Sequence, residues 1–103
     1  MEKERVIKDL FLAWEKEDQS LLRLTDDFEH ISPNDHFKSQ KEFLEACWKK
    51  PFTGNKIFIQ DLLIEGDRAV VWYRMNNQQD GMPITEWIDF EGDLIKRARV
   101  FFG

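Results

Sequence analysis

One carboxylate interrupts an otherwise apolar strand face. In the run Ile84 to Glu91, a period of two puts Ile84, Glu86, Ile88 and Phe90 on one side and Thr85, Trp87, Asp89 and Glu91 on the other. A carboxyl among isoleucine and phenylalanine is desolvated, which raises its pKa and suits it to general acid–base work near neutrality. The competing reading is a hydrated Glu86 near the strand's end, or one paired with an arginine. His30 poses the same question earlier in the chain. In Asp26-Asp27-Phe28-Glu29-His30-Ile31 it shares a strand face with Phe28. An imidazole there can take or give a proton, particularly where a carboxylate orients it. Facing one pocket, His30 and Glu86 form an acid–base pair. A buried, hydrogen-bonded histidine or a structural His–Glu pair uses the same residues.

The candidate ligand contacts around that pair are Trp14, Phe28, Trp72, Ile88 and Phe90. Trp14, at helical spacing from Leu10 and Phe11, either walls a cavity or fills the core. Trp72 and Tyr73 are adjacent, so one faces the pocket and the other faces away. An outward Trp72 with Trp87 makes an aromatic surface patch of the kind found at interfaces. Arg97 and Arg99 alternate with Ala98, Val100 and Phe102, and are expected to face outward to acids on neighbouring strands. His36 beside Asp35 has no further ligand spacing, so no metal is expected. Cys47 beside Ala46 and Trp48 reads as an inert, buried thiol. The sequence has no Gly-rich phosphate loop, nucleophile elbow or CxxC pair, and no cofactor is expected.

These residues need elements to hold them. Val6, Ile7, Leu10, Phe11 and Trp14 fall on one helical face over residues 4–17. A second short helix is expected after Asp18, with Leu21, Leu22 and Leu24. Residues 26–31 read as a strand and Ser32 to Asp35 as a turn. Ser39-Gln40-Lys41-Glu42 is a capping box ahead of Phe43, Leu44, Cys47 and Trp48, with Pro51 as the stop. Two hairpins follow, one turning at Glu65-Gly66-Asp67 and the other at Glu91-Gly92-Asp93. A polar loop from Gln78 to Pro83 lies between them.

The 103 residues suit a single domain, 1–103. Aromatic content is 14%, with four Trp and nine Phe, more than a core this size needs; the surplus points to an aromatic-lined cavity or a subunit interface. A net charge of −5 with scattered basic residues argues against nucleic-acid binding. One cysteine, no signal-peptide pattern and no long apolar run point to a reducing, cytoplasmic setting and no membrane.

DLLIEGDRAVVWYR, a Gly-containing loop, then EWIDFEGDLIKRARVFF resembles the SnoaL-like branch of the nuclear-transport-factor-2-like superfamily, and the opening helix and FKSQKEFLEACW agree. The resemblance implies an α+β, cone-shaped (α+β barrel) fold, with N-terminal helices packed against a strongly curved, mainly antiparallel sheet. It implies a small apolar ligand, cofactor-free chemistry of isomerase, cyclase or hydratase type, or a noncatalytic binding or dimerisation module. It also implies a homodimer through the outer sheet face. Against the ketosteroid isomerases in that superfamily, His30 stands where their catalytic aspartate is kept and Glu86 where their oxyanion-hole acid is kept. The first helix has no tyrosine, so steroid isomerisation is not expected.

Overall fold

The computed structural model of the chain describes residues 2–50, 52–75 and 83–102. Helix α1 runs Glu2–Lys16 and buries Val6, Ile7, Leu10, Phe11 and Ala13, the stripe its spacing dictates. It ends at Glu17, whose φ of 57° is the left-handed conformation that lets the Asp18 amide donate back to the Ala13 carbonyl at 3.0 Å. The Asp18 side chain then accepts from the Ser20 amide and caps one 3-10 turn, Gln19–Leu21. The expected second helix stops there. Leu24 belongs to a strand, because the neighbouring backbone is claimed by a distant one: the Ile95 amide donates to the Arg23 carbonyl at 2.9 Å.

That strand is β1, Leu24–Ile31, followed by the two-residue β2, His36–Phe37. Helix α2, Gln40–Cys47, starts at Ser39, whose hydroxyl accepts from the Glu42 amide at 3.1 Å. The expected stop at Pro51 and the expected loop as far as Met82 lie outside the described residues. Strands β3 (Ile57–Glu65), β4 (Arg68–Met75), β5 (Ile84–Glu91) and β6 (Leu94–Phe102) make the two hairpins. Glu65 pairs with Arg68 across the first turn, so Gly66 and Asp67 alone make the loop; Gly66 has φ 60°. Glycine at the first loop position with positive φ is the two-residue hairpin geometry that follows the natural strand twist.

The six strands lie in the order β2-β1-β6-β5-β4-β3. All pairs are antiparallel except β1 with β6. The result is an α+β architecture with two helices on one face of a mixed sheet. The sheet stays open, with β2 and β3 as edges, so it does not close as a barrel. Register breaks at Ile59/Asp61 and at Asp89/Phe90 are the points where extra residues bend and twist such a sheet. The core lies between helices and sheet and includes Ile7, Phe28, Phe43, Val71, Tyr73, Ile88, Phe90 and Ile95.

Candidate functional site

Glu86 is on the helix-facing side of the sheet. It pairs in register with Val71 on β4 and Val100 on β6, both apolar and both buried. The Tyr73 hydroxyl, two residues beyond Val71, donates to Glu86 Oε1 at 2.9 Å. Burial pushes the Glu86 carboxyl up to about 7, although the tyrosine bond pulls the other way. Burial first, then the neighbouring carboxylate, holds the Tyr73 hydroxyl well above its ordinary value, so it stays a donor at neutral pH. The Tyr73 ring is fixed against Phe11 of α1, with ring centres 4.7 Å apart.

His30 shares that face. It pairs with Ala98 on β6, and Ala98 pairs with Ile88 on β5, so the three side chains point the same way. Glu86 is two strands over and two residues along. With strands about 4.8 Å apart and a rise of about 3.4 Å per residue, the two Cα atoms are roughly 12 Å apart. No hydrogen bond joins the pair among the described residues. The His30 ring instead stacks on Phe43 of α2 at 4.6 Å, with Phe37 beside it. Burial lowers its pKa to about 4, and the Asp35 charge offsets only part of that. The ring is therefore neutral near pH 7, and its buried Nδ1 has no hydrogen-bond partner among the described residues.

The other candidate contacts separate. Phe28, Ile88 and Phe90 are fully buried in the core. Phe28 meets Phe43 edge-on at 5.2 Å; Trp14 is half-buried between Phe43 and Trp48. Trp72 does not join them: at 41% exposure it is on the outer face, and Tyr73 takes the inward position. Strand alternation permits only one of the two inside, and the set Arg68, Val70, Trp72, Arg74 carries two arginines, which favour the wet side. That signal was readable in the sequence and assigns Tyr73 to the inner face; its contact with Glu86 follows only from the register between β4 and β5.

The outer face carries charge in order. One row across the sheet reads Glu65, Arg68, Asp89, Arg97, Glu29, alternating in sign. Arg68 Nε is 3.1 Å from Asp89 Oδ1; Arg97 and Arg99 approach Asp89 Oδ2 at 3.6 and 3.7 Å. Arg97 also reaches Glu29 at 3.4 Å, and Glu29 takes His36 Nε2 at 2.7 Å. The arginines thus face outward to acids on adjacent strands, as their alternation predicts. The Cys47 thiol is half-buried and pushed up by that burial, so it is a poor nucleophile. No cluster of metal-ligating side chains occurs among the described residues.

No protein-family model matches the sequence, and no curated protein matches it. Solved structures do match its fold. A nuclear-transport-factor-2-like protein of unknown function from Cytophaga hutchinsonii superimposes with a TM-score of 0.83 at 16% identity, covering 98% of this chain and 89% of that one. A SnoaL-like protein of unknown function from Burkholderia thailandensis gives 0.79 at 16% identity, covering 99% and 95%. An epoxide hydrolase from M. tuberculosis gives 0.82 at 13% identity, covering 99% and 83%. The chain has the nuclear-transport-factor-2-like fold, shared with SnoaL-like and ketosteroid-isomerase-like proteins.

Proposed function

We propose that the chain is a small-molecule-binding domain whose ligand is small and largely apolar, and whose acid–base groups are Glu86 and His30. The observation that carries this reading is Glu86: a buried carboxyl titrating near 7 on an apolar face, aimed by the Tyr73 hydroxyl. A protonated carboxyl can donate to, and a carboxylate can accept from, a ligand oxygen at the same pH, which is what cofactor-free isomerase, cyclase or hydratase chemistry asks of a side chain. Neutral His30 with a vacant ring nitrogen is a second polar contact about one small molecule away. The epoxide hydrolase relative supports the fold's ability to host hydrolytic chemistry. Phe28, Ile88, Phe90 and Trp14 supply the apolar contacts in this reading.

A noncatalytic module of the same fold is the second reading. It is favoured by the interior packing, where Phe11 rests on Tyr73 and Phe43 touches Trp14, Phe28 and His30. A thermal-shift screen of small carbonyl, epoxide and lactone compounds against the wild type, Glu86→Gln and His30→Phe separates them. The enzyme reading expects hits whose turnover falls at least about 100-fold in Glu86→Gln, the size of a lost general acid–base group. Turnover that survives both substitutions, or hits that bind all three proteins equally without turnover, leaves the module. With its single cysteine the domain suits the cytoplasm, and Trp72 and Trp87 on the outer face suit a homodimer.

A further inference from the structure

At the hairpin-turn end of the sheet, on the side opposite Glu86, a solvent-open depression of about 270 Å³ is lined by Asp67, Arg68, Asp89, Phe90, Lys96 and Arg97. That is the volume of roughly nine liquid waters at about 30 Å³ each, ample for a phosphate-sized group. We propose that this depression binds an oxyanion, the phosphate or carboxylate group of a small molecule, between Arg68, Arg97 and Lys96.

Three observations converge on it. The first is the foundation of the site. Asp89 is nine-tenths buried and anchors Arg68 and Arg97 from either side, so two guanidinium groups on β4 and β6 are held apart across β5. A shared carboxylate that fixes two guanidiniums leaves their other N–H groups directed outward as a preformed fork for oxygens. The second is unfinished hydrogen bonding. Arg97 Nη1 and Arg99 Nη2 stand 3.6 and 3.7 Å from Asp89 Oδ2, beyond hydrogen-bond distance, so neither donor is used up there, while Asp89 Oδ2 is itself an acceptor and no part of the anion's donor set. The third is charge. The chain carries −5 overall, yet the charged groups at this place run the other way by a small margin. Lys3, Arg68, Lys96, Arg97 and Arg99 are five cations; Asp67, Asp89, Glu29 and Glu65, which pairs in register with Arg68, are four acids. Lys3 neutralises Asp67 at 3.3 Å, and Lys96 stands exposed with no ion-pair partner among the described residues. A surplus of cations in an acidic domain attracts an anion to that end of the sheet.

The test uses the whole chain and proton–nitrogen spectra that include the arginine Nε–H signals. Inorganic phosphate and acetate are titrated separately against sodium chloride at equal ionic strength. The expected result is saturable shifts at Arg68, Lys96 and Arg97 with an apparent Kd of roughly 1 mM at low salt. Response to phosphate alone assigns a phosphate group; response to acetate as well assigns oxyanions generally, carboxylates included. Lys96→Gln weakens binding roughly threefold and Lys96→Glu weakens it further, while the melting temperature stays put because Lys96 is exposed. Shifts that follow ionic strength alone overturn the proposal, as does a Kd that is the same in wild type and Lys96→Glu.

Discussion

Glu86 and His30 are perturbed in opposite directions, and their effects on stability oppose each other. The folded chain keeps the Glu86 proton up to about 7, whereas an ordinary glutamate loses it at 4.5, so stability falls as pH rises between those values. The folded chain keeps His30 neutral down to about 4, whereas an ordinary histidine takes a proton at 6.5. Its contribution is complete above 6.5 and is lost as pH falls toward 4. Each slope is on the order of 1.4 kcal/mol per pH unit and totals about 3 kcal/mol. Between 4.5 and 6.5 the two cancel, so the wild type conceals both. Glu86→Gln should gain stability relative to wild type steadily from pH 4.5 to 7. His30→Phe, which keeps the stack on Phe43, should gain as pH falls from 6.5 to 4. Urea unfolding followed by tryptophan fluorescence reads both differences, and a pH-independent difference for Glu86→Gln would remove the buried-carboxyl argument. Tyr73→Phe removes the one bond that favours the carboxylate, so the Glu86 titration should move higher still.

At the level of elements, the hairpins were legible because two local signals agree: period-two alternation and a glycine at each turn. Gly66 and Gly92 have φ of 60° and 61°, and a Cβ at either would meet nothing within 4 Å. Replacing either with alanine should therefore cost only the backbone penalty, about 1 kcal/mol. Gly54 differs. Its φ is 84°, and a Cβ there would come within 3.2 Å of Lys50 Nζ and 3.3 Å of Glu17 Oε1, so Gly54→Ala should be the most costly of the three in the same unfolding experiment. Equal costs would show that the crowding is relieved freely. What sequence patterning missed depends on partners far along the chain. Leu24 followed Leu21 and Leu22 at a spacing that reads as helix, but its place is decided by Ile95 in a parallel pair. β2 is too short to carry alternation. Glu86 was found from its own strand, because being the one charge on a face is a local property. Tyr73 as its partner was not, because that contact needs the register between β4 and β5.

For the whole molecule, the outer sheet face is the remaining large surface, and its charge order limits how two copies could meet. The row Glu65, Arg68, Asp89, Arg97, Glu29 reads the same in both directions. A two-fold axis lying along this row sets each charge against itself, and one crossing it at Asp89 sets Glu65 against Glu29 and Arg68 against Arg97; both juxtapose like charges, which an interface disfavours. The next rows are richer in apolar side chains. Leu63, Val70 and Trp87 stand beside Arg99, which lies over the Trp87 ring, and beyond them come Asp61, Trp72, Thr85 and Phe101. Trp72, Trp87, Phe101 and Leu63 are all exposed, the composition of an interface centre. An axis parallel to the charged row and through Trp72 and Phe101 joins the tryptophans, and the one charge in that row, Asp61 on the edge strand β3, meets its own copy at the exposed end of the axis. It leaves the two charged rows at opposite rims, each about 13 Å from the axis at a rise of about 3.4 Å per residue. The proposed dimer should therefore dissociate in Trp72→Glu while the fold, read by circular dichroism, is retained. Glu65→Lys, which alters the charged row at its exposed end, should leave the sedimentation coefficient unchanged. A monomeric wild type, or a dimer broken by Glu65→Lys and untouched by Trp72→Glu, would refute this arrangement. It would also return the tryptophans to the role of scattered surface aromatics.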